Sequence, residues 1–86
     1  MKKIVIYSSS LCSYCIAAKK LLEQQNLSFE EKNIDFDKQL KNEMIKKSSG
    51  KKTVPQIFFD NNHIGGCDEL FEIYNNGNLK KLLKNE

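Results

Sequence analysis

Residues 3–15, KIVIYSSSLCSYC, decide the fold, because they join a buried strand to the start of a helix through a short loop. Lys3 to Tyr7 is an apolar, β-branched run, which is typical of a buried strand. Three serines, Ser8 to Ser10, end that run and predict a loop. From Ser13 to about Gln25 apolar positions recur at helical spacing, so Cys12 is predicted at the N-terminus of a helix.

The first helix and the segment after it show clear patterns. The helix is predicted to have an apolar face of Ile16, Ala17, Leu21 and Leu22, and a solvent face of Lys19, Lys20, Glu23 and Gln24. Asn26 suits the C-terminal end of this helix. Residues 28–34 then alternate, with Phe29 as the apolar member, and predict a second strand.

The second half of the chain predicts a helix, a hairpin and two more helices. Residues 37–48 form the helix, with Asp37 as its cap and one apolar side made of Leu40, Met44 and Ile45. Residues 56–59 and 63–64 flank a turn-rich stretch, which is the pattern of a hairpin. After a glycine pair the helical pattern returns at Leu70, Phe71, Ile73 and Tyr74, and a last short helix covers residues 79–84.

The order of elements is therefore β-α-β-α-β-β-α-α, in one domain that covers residues 1–86. The first half forms a right-handed βαβ crossover with parallel strands, and the hairpin completes a four-stranded mixed sheet. Helices are expected on both faces of the sheet, which gives an α/β fold. A chain of this length is close to the lower limit at which one hydrophobic core stabilises a fold without disulfides or bound metal ions.

Composition argues against several classes of protein. Hydrophobic residues are 40% and charged residues 29%, and no apolar run approaches the roughly 18 residues that cross a bilayer. The start turns polar at Ser8, so neither export nor membrane binding is expected. All 14 basic residues are lysine, without the planar fork of arginine, which disfavours nucleic-acid binding. Three cysteines, two of them close together, make a poor disulfide framework and favour a reducing, cytoplasmic setting.

Cys12-Ser13-Tyr14-Cys15 carries the strongest chemical signal. Two thiols at this spacing can close a disulfide with little backbone change, so the pair can cycle between dithiol and disulfide. Free N–H groups at the helix start favour the thiolate of Cys12, which is the form that attacks a disulfide, and Cys15 is the natural resolving thiol. The spacing also begins zinc sites, but His63, the only histidine, lies in a predicted hairpin far from Cys12.

Two further segments have an ordinary interpretation when each is taken alone. Thr53-Val54-Pro55-Gln56 places the only proline before an apolar strand, where it can simply start that strand. Gly65-Gly66-Cys67-Asp68 is a flexible pair followed by a helix start with an acid in its first turn. Cys67 is interpreted as a small packed residue, with a redox role for its thiol as the alternative.

Together, in this order and at these distances, the three segments resemble the glutaredoxin family of the thioredoxin fold, and most closely its bacterial glutaredoxin 3 type. The resemblance covers nearly the whole chain and includes residues 6–7, 33–35, 43–46, 57–58 and 63–70. It implies a glutathione-dependent thiol–disulfide oxidoreductase with Cys12 as nucleophile and Cys15 as resolving thiol. The implied partners are glutathione, as co-substrate, and glutathionylated or disulfide-containing proteins. The chain is expected to be a monomer when it holds no iron–sulfur cluster.

The resemblance also implies a glutathione site. Pro55 is expected to be cis, which leaves the backbone of Thr53 and Val54 free to pair with the cysteine portion of glutathione as a short added strand. Tyr14 and Lys52 are expected beside the tripeptide, with Lys52 near its glycine carboxylate.

The other end of the implied glutathione site is the start of the helix at Cys67 and Asp68. Backbone N–H groups there are expected to bind the carboxylate of the γ-glutamyl residue, and the side chain of Asp68 is expected to bind its ammonium group. Gly66 would permit that close approach.

Two positions depart from the family pattern, and two rival functions stay open. Ser13 stands where many members with two active-site cysteines have proline. Some members with a CSYC segment hold a [2Fe–2S] cluster between two subunits, with glutathione as a ligand. A carrier of such a cluster is therefore one rival function. No obligatory metal is expected. Ser9 stands where lysine is common, which removes a positive charge near Cys12. The other rival is a thioredoxin-like reductase served by a flavin reductase, against which Lys52, Thr53 and Asp68 argue.

Overall fold

Strands and helices follow one another in the predicted order in the computed structural model, which describes residues 1–84. The strands are β1 (Ile4–Ser8), β2 (Glu30–Asn33), β3 (Gln56–Phe59) and β4 (Asn62–Gly65). The helices are α1 (Ser13–Gln24), α2 (Lys38–Lys47), α3 (Cys67–Asn75) and α4 (Leu79–Leu83). The single domain predicted over residues 1–86 extends beyond the described residues and stays a prediction. No helix within residues 1–84 is long and apolar enough to cross a membrane.

The four strands form one mixed sheet in the order β2-β1-β3-β4. β1 runs parallel to β2 and antiparallel to β3, and β3 pairs antiparallel with β4. The parallel pair is joined by α1, which confirms the predicted βαβ crossover. In the register of β1 and β3, Tyr7 lies opposite Gln56. The end of β1 and the start of β3 are therefore neighbours, and this pairing brings the loop before Cys12 close to Pro55.

Alternation along β1 divides the core between the two faces of the sheet. Ile4 and Ile6 face α1, α3 and α4, in a cluster with Ala18, Leu21, Leu22, Leu27, Ile57, Phe59, Cys67, Leu70, Leu79 and Leu83. Tyr7 faces the other way and packs with Met44 of α2 and with Phe58. Helices thus cover both faces, as predicted.

Two predictions about the elements are wrong in detail. The predicted apolar face of α1 includes Ile16, but this side chain is 48% exposed and Ala18 is fully buried instead. Ala18 precedes Leu21 and Leu22 by three and four positions, so it shares their face, whereas Ile16 lies off that stripe. β2 is shorter than residues 28–34, because it is an edge strand that pairs with only four residues of β1.

The ends of two helices agree with their predicted caps. The side chain of Asp37 accepts a hydrogen bond from the N–H of Leu40 at 3.0 Å, which caps α2. Asn26 has a φ of 59°, the left-handed conformation that asparagine adopts after a helix more readily than most residues. Local sequence therefore sets where these helices begin and end.

Candidate active site

Cys12 is the N-cap residue of α1. Its backbone is extended, with φ −133° and ψ 106°, and its Sγ accepts a hydrogen bond from the N–H of Cys15 at 3.1 Å. The first N–H groups of a helix lack partners within the helix, and here one of them is directed at the sulfur. The strand–loop–helix segment therefore places this sulfur where a helix start can hold a negative charge.

Cys15 lies in different surroundings, although it is only one turn away. Its side chain is fully buried. Burial, together with a hydrogen bond between its thiol and the Cys12 side chain, raises the pKa of the Cys15 thiol to about 12. Both cysteines are free thiols, and Cys12 is half-buried. At neutral pH Cys15 thus keeps its proton inside the protein, while the Cys12 sulfur lies at the surface.

The loop before β3 brings a backbone carbonyl to Cys12. The Val54–Pro55 peptide bond is cis, as the resemblance implied. The Sγ of Cys12 lies 3.8 Å from the carbonyl oxygen of Val54, a long contact that suits a weak S–H donor. Val54 therefore lies beside Cys12, which agrees with the expectation from the resemblance.

An open groove of about 510 Å³ runs past Tyr14, the loop before β3 and the start of α3. It contains seven of the eight residues predicted to bind glutathione, namely Tyr14, Thr53, Val54, Pro55, Gly66, Cys67 and Asp68. The eighth predicted residue, Lys52, does not line this groove, but its neighbour Lys51 does. The lining also includes residues that the sequence did not assign to this site, namely Gln56, His63, Ile64, Gly65 and Glu69.

The groove is lined by charges of both signs. Lys51 contributes a cation from the loop before β3, and Asp68 contributes a carboxylate from the first turn of α3. The first backbone hydrogen bond of α3 runs from the N–H of Leu70 to the carbonyl of Gly66 at 3.1 Å. The N–H groups of Cys67 and Asp68 precede it and have no partner within the helix, so they can receive an anion.

Gly66 lets the start of α3 approach the loop before β3. A Cβ atom at Gly66 would lie 3.2 Å from the carbonyl oxygen of Pro55, a distance at which one of the two must move. The carboxylate of Glu69 reaches back to accept from the N–H of Gly66 at 2.6 Å, as in the N3 half of a capping box. The two walls of the groove therefore depend on a residue without a side chain.

Cys67 is buried at the start of α3. Burial raises the pKa of its thiol, and the nearby carboxylate of Asp68 and the sulfur of Cys12 act in the same direction. A protonated, buried thiol is consistent with the interpretation of Cys67 as a packed residue. Within residues 1–84, no group of three His, Cys, Asp or Glu side chains is placed to hold a metal ion.

The loop before Cys12 is tied to the end of β2 by a network that the sequence did not reveal. The carboxylate of Asp35 accepts from the hydroxyl of Ser9 and from the N–H of Ser10, the latter at 3.0 Å. The amide of Asn33 donates to the hydroxyl of Ser10 at 3.1 Å. These hydrogen bonds to Ser9 and Ser10 lower the pKa of Asp35. Ser9, one of the two departures from the family pattern, thus has a structural partner.

The fold and the site together define a class of protein: a thioredoxin-like fold with a Cys-x-x-Cys pair at the start of its first helix, the arrangement of a thiol–disulfide oxidoreductase. Residues 4–64 match the glutaredoxin family. Glutaredoxin 1 of Rickettsia conorii is 51% identical over 84 residues, which cover 96% of this chain and 82% of that protein. Glutaredoxin 3 of Escherichia coli is 48% identical over 84 residues, with 98% and 100% coverage. The chain belongs to the glutaredoxin family.

Solved structures agree with this assignment. The solution structure of glutaredoxin from Brucella melitensis has a TM-score of 0.84 at 39% identity and covers 98% of this chain and 90% of that one. The crystal structure of a buckwheat glutaredoxin–glutathione complex has a TM-score of 0.84 at 29% identity, with 95% and 76% coverage. As a glutaredoxin, the protein is an oxidoreductase that acts on thiol–disulfide bonds with glutathione.

Proposed function

We propose that this glutaredoxin removes glutathione from protein–glutathione mixed disulfides, with Cys12 as the nucleophile and the groove as the site of the glutathionyl group. One observation carries the proposal: the carbonyl of Val54 is 3.8 Å from the Sγ of Cys12, and Val54 also lines the groove. A tripeptide that pairs with this backbone as an added strand has its own sulfur next to Cys12.

The reaction runs as two thiol–disulfide exchanges. The thiolate of Cys12 attacks the glutathione sulfur of the mixed disulfide, so the old S–S bond breaks, the protein thiolate leaves and takes up a proton, and Cys12 is left bonded to glutathione. The thiolate of a second glutathione attacks that bound glutathione sulfur and releases Cys12 as thiolate. One protein thiol and one glutathione disulfide are formed, and glutathione supplies the electrons.

The charges of the groove suit the two ends of glutathione. Lys51 lines the groove, and Lys52, its neighbour, is the residue expected from the resemblance to meet the glycine carboxylate. The N–H groups of Cys67 and Asp68 would receive the γ-glutamyl carboxylate, and the carboxylate of Asp68 would receive the ammonium group. Tyr14, which is exposed beside Cys12, would cover one side of the peptide.

Cys15 acts only when the substrate is a protein disulfide. Cys12 then forms a mixed disulfide with one substrate sulfur, and the Cys15 thiol must lose its proton before its sulfur can displace the substrate. The high pKa of Cys15 makes it a poor first attacker and reserves it for this second step. Glutathione reduces the resulting Cys12–Cys15 disulfide.

A labelled glutathionylated peptide, reduced with glutathione and glutathione reductase, tests these roles in the wild type and in the Cys12→Ser and Cys15→Ser variants. We expect Cys15→Ser to retain activity, because the two exchanges use a single cysteine, and Cys12→Ser to lose it. Loss of activity in Cys15→Ser alone would contradict the assignment. A wild type that glutathione cannot drive, but a flavin reductase can, would support the thioredoxin-like rival.

A cluster carrier is the second candidate function. Cys12 is the one partly exposed thiol, because Cys15 and Cys67 are buried, so a single chain would offer one cysteine ligand. Cysteine thiolates are the usual ligands of such clusters, and the remaining ones would have to come from glutathione and a second subunit. The described residues of one chain therefore supply only part of the ligands that such a cluster needs. An absorbance spectrum after anaerobic purification tests this rival.

The cellular setting that fits this function is a reducing cytoplasm with glutathionylated and disulfide-containing proteins as partners. Three cysteines, two of them close together, are a poor framework for structural disulfides, which suits that compartment. The chain is expected to be a monomer when it holds no iron–sulfur cluster. Size-exclusion chromatography of the cluster-free protein tests the monomer.

A further inference from the structure

The buried side chain of Gln56 joins the loop before β3 to β4. Gln56 is only 4% exposed. Its Nε2 donates to the carbonyl oxygen of Thr53 at 3.0 Å and to the Thr53 hydroxyl at 3.3 Å, and its Oε1 lies 2.7 Å from Nε2 of His63. Thr53 and His63 are exposed, but the Gln56 amide between them is buried and held in place, because releasing either end would leave one of its own polar atoms without its protein partner.

The chemistry of the three groups sets the direction of these hydrogen bonds. The carbonyl of Thr53 can only accept, so the NH₂ end of Gln56 must face it. The amide oxygen of Gln56 therefore faces His63 and can only accept, so Nε2 of His63 must carry a proton. The ring of His63 also packs on Phe58, with centroids 5.0 Å apart, which limits its rotation.

This series of hydrogen bonds ends at the backbone beside Cys12. Thr53 directly precedes Val54, whose carbonyl contacts the sulfur. Thr53 is exposed and has no strand neighbour to define its conformation, so the amide of Gln56 is a main restraint on it among the described contacts. His63 and Gln56 share the groove lining with Thr53 and Val54.

We propose that His63 and Gln56 are positioning residues that hold the Thr53–Val54 backbone in the conformation that receives the glutathionyl group. This inference rests on the proposed function, because it concerns how the groove recognises glutathione. Neither side chain contacts Cys12 among the described hydrogen bonds, so the pair acts on substrate recognition and leaves thiol exchange itself unchanged.

The test uses two substrates and two variants. One peptide is prepared as a mixed disulfide with glutathione and also with 2-mercaptoethanol, which has no peptide groups to pair with the Thr53–Val54 backbone. His63→Phe keeps an aromatic ring against Phe58 and removes the N–H donor, whereas His63→Gln keeps an N–H donor at a similar reach. The second-order rate constant for peptide release is measured in a single turnover of the reduced protein.

We expect His63→Phe to lower the rate constant for the glutathionyl peptide about two- to tenfold, the range that corresponds to one lost hydrogen bond. The rate constant for the 2-mercaptoethanol peptide stays unchanged, and His63→Gln recovers the wild-type preference. An equal loss on both substrates, or no loss on either, would overturn the inference. A wild type that shows no preference for the glutathionyl peptide would overturn the proposed function instead.

A measurement on the wild type does not depend on the folding of any variant. Nitrogen chemical shifts of the His63 ring, recorded by NMR above neutral pH, report which ring nitrogen carries the proton. We expect the Nε2–H form, because the amide oxygen of Gln56 can only accept. The opposite tautomer, with the proton on Nδ1, would remove the hydrogen bond and with it the inference.

Discussion

Cys12 and Cys15 are the same residue type one helical turn apart, and the fold gives them different surroundings. Cys12 caps α1 and is half-buried, whereas Cys15 is fully buried and has a pKa of about 12. Burial penalises the charged form of a thiol, so the inner sulfur stays protonated while the outer one can meet a substrate. These different surroundings support the proposed order of attack, with Cys12 first and Cys15 second.

The raised pKa of Cys15 predicts how stability depends on pH. Folding raises this pKa from 9.0 to about 12, so the folded state holds the proton more tightly than the unfolded chain. The contribution of Cys15 to the free energy of unfolding is therefore complete below pH 9.0 and is lost as the pH rises towards 12. We expect urea titrations of the reduced protein to show the free energy of unfolding falling above pH 9.0.

Cys15→Ala is the control for this pH dependence. Burial and the hydrogen bond to Glu43 also raise the pKa of Tyr7, which destabilises the protein in the same pH range. Tyr7 is present in both proteins, so the difference between them isolates the thiol. We expect the variant to lose less stability than the wild type above pH 9.0, and parallel curves would contradict the prediction.

Among the elements, the sequence predicts the strands and helices, whose patterns are local, but not the register in which the strands pair. The strand–loop–helix around Cys12 and the capped start of α2 follow from periodicity and cap residues, and both are confirmed. β4, however, carries Ile64 as an extra residue between the pairs Ile57–Gly65 and Phe58–His63. Alternation does not reveal such a bulge. The sequence could therefore not predict which side chains of β4 meet the start of β3.

The candidate active site shows the same difference between local patterns, which the sequence reveals, and contacts between strands, which it does not. The Cys-x-x-Cys pair is visible in the sequence, because its chemistry needs only two positions on one helix. The contact of Gln56 with His63 was missed, because it joins two strands across the bulge. Lys52, expected from the resemblance to meet the glycine carboxylate, stays a prediction, and the structure adds its neighbour Lys51 to the groove lining. Predicting these contacts requires the three-dimensional fold.

The close contact between α3 and the loop before β3 predicts the effect of filling Gly66. Gly66 has a φ of −100°, which any residue adopts, so Gly66→Ala tests only the approach to the carbonyl of Pro55. We expect a loss of about 1–3 kcal/mol in the free energy of unfolding, typical of overpacking, and slower release of glutathione from peptides. Urea titration and the peptide assay measure the two effects.

Gly65→Ala provides the comparison for Gly66→Ala. Gly65 has a φ of 122°, and an added Cβ would lie 2.7 Å from the side chain of Glu69, so this variant adds backbone strain to a steric contact. We expect Gly65→Ala to destabilise the protein more than Gly66→Ala. The reverse order would contradict this ranking, and no loss of stability in Gly66→Ala would show that the approach to Pro55 does not need a glycine.

For the whole molecule, the site exists only because distant segments meet. Cys12, Val54 and Asp68 lie on three separate segments, and no stretch of the chain contains the site by itself. They meet because β1 pairs with β3 in the sheet and α3 packs against α1 above it. Activity should therefore depend on the cooperative fold of the domain.

This dependence predicts that activity and fold are lost together. Leu22 is fully buried in the larger cluster, so Leu22→Ala is expected to reduce the free energy of unfolding by about 2–5 kcal/mol. Ile16→Ala, on the exposed side of the same helix, is expected to change it by less than about 0.5 kcal/mol. In urea, Leu22→Ala should shift the midpoints of circular dichroism and of peptide deglutathionylation equally. Activity that disappears well before the helical signal would instead mean that the groove opens locally, and the cooperative account would fail.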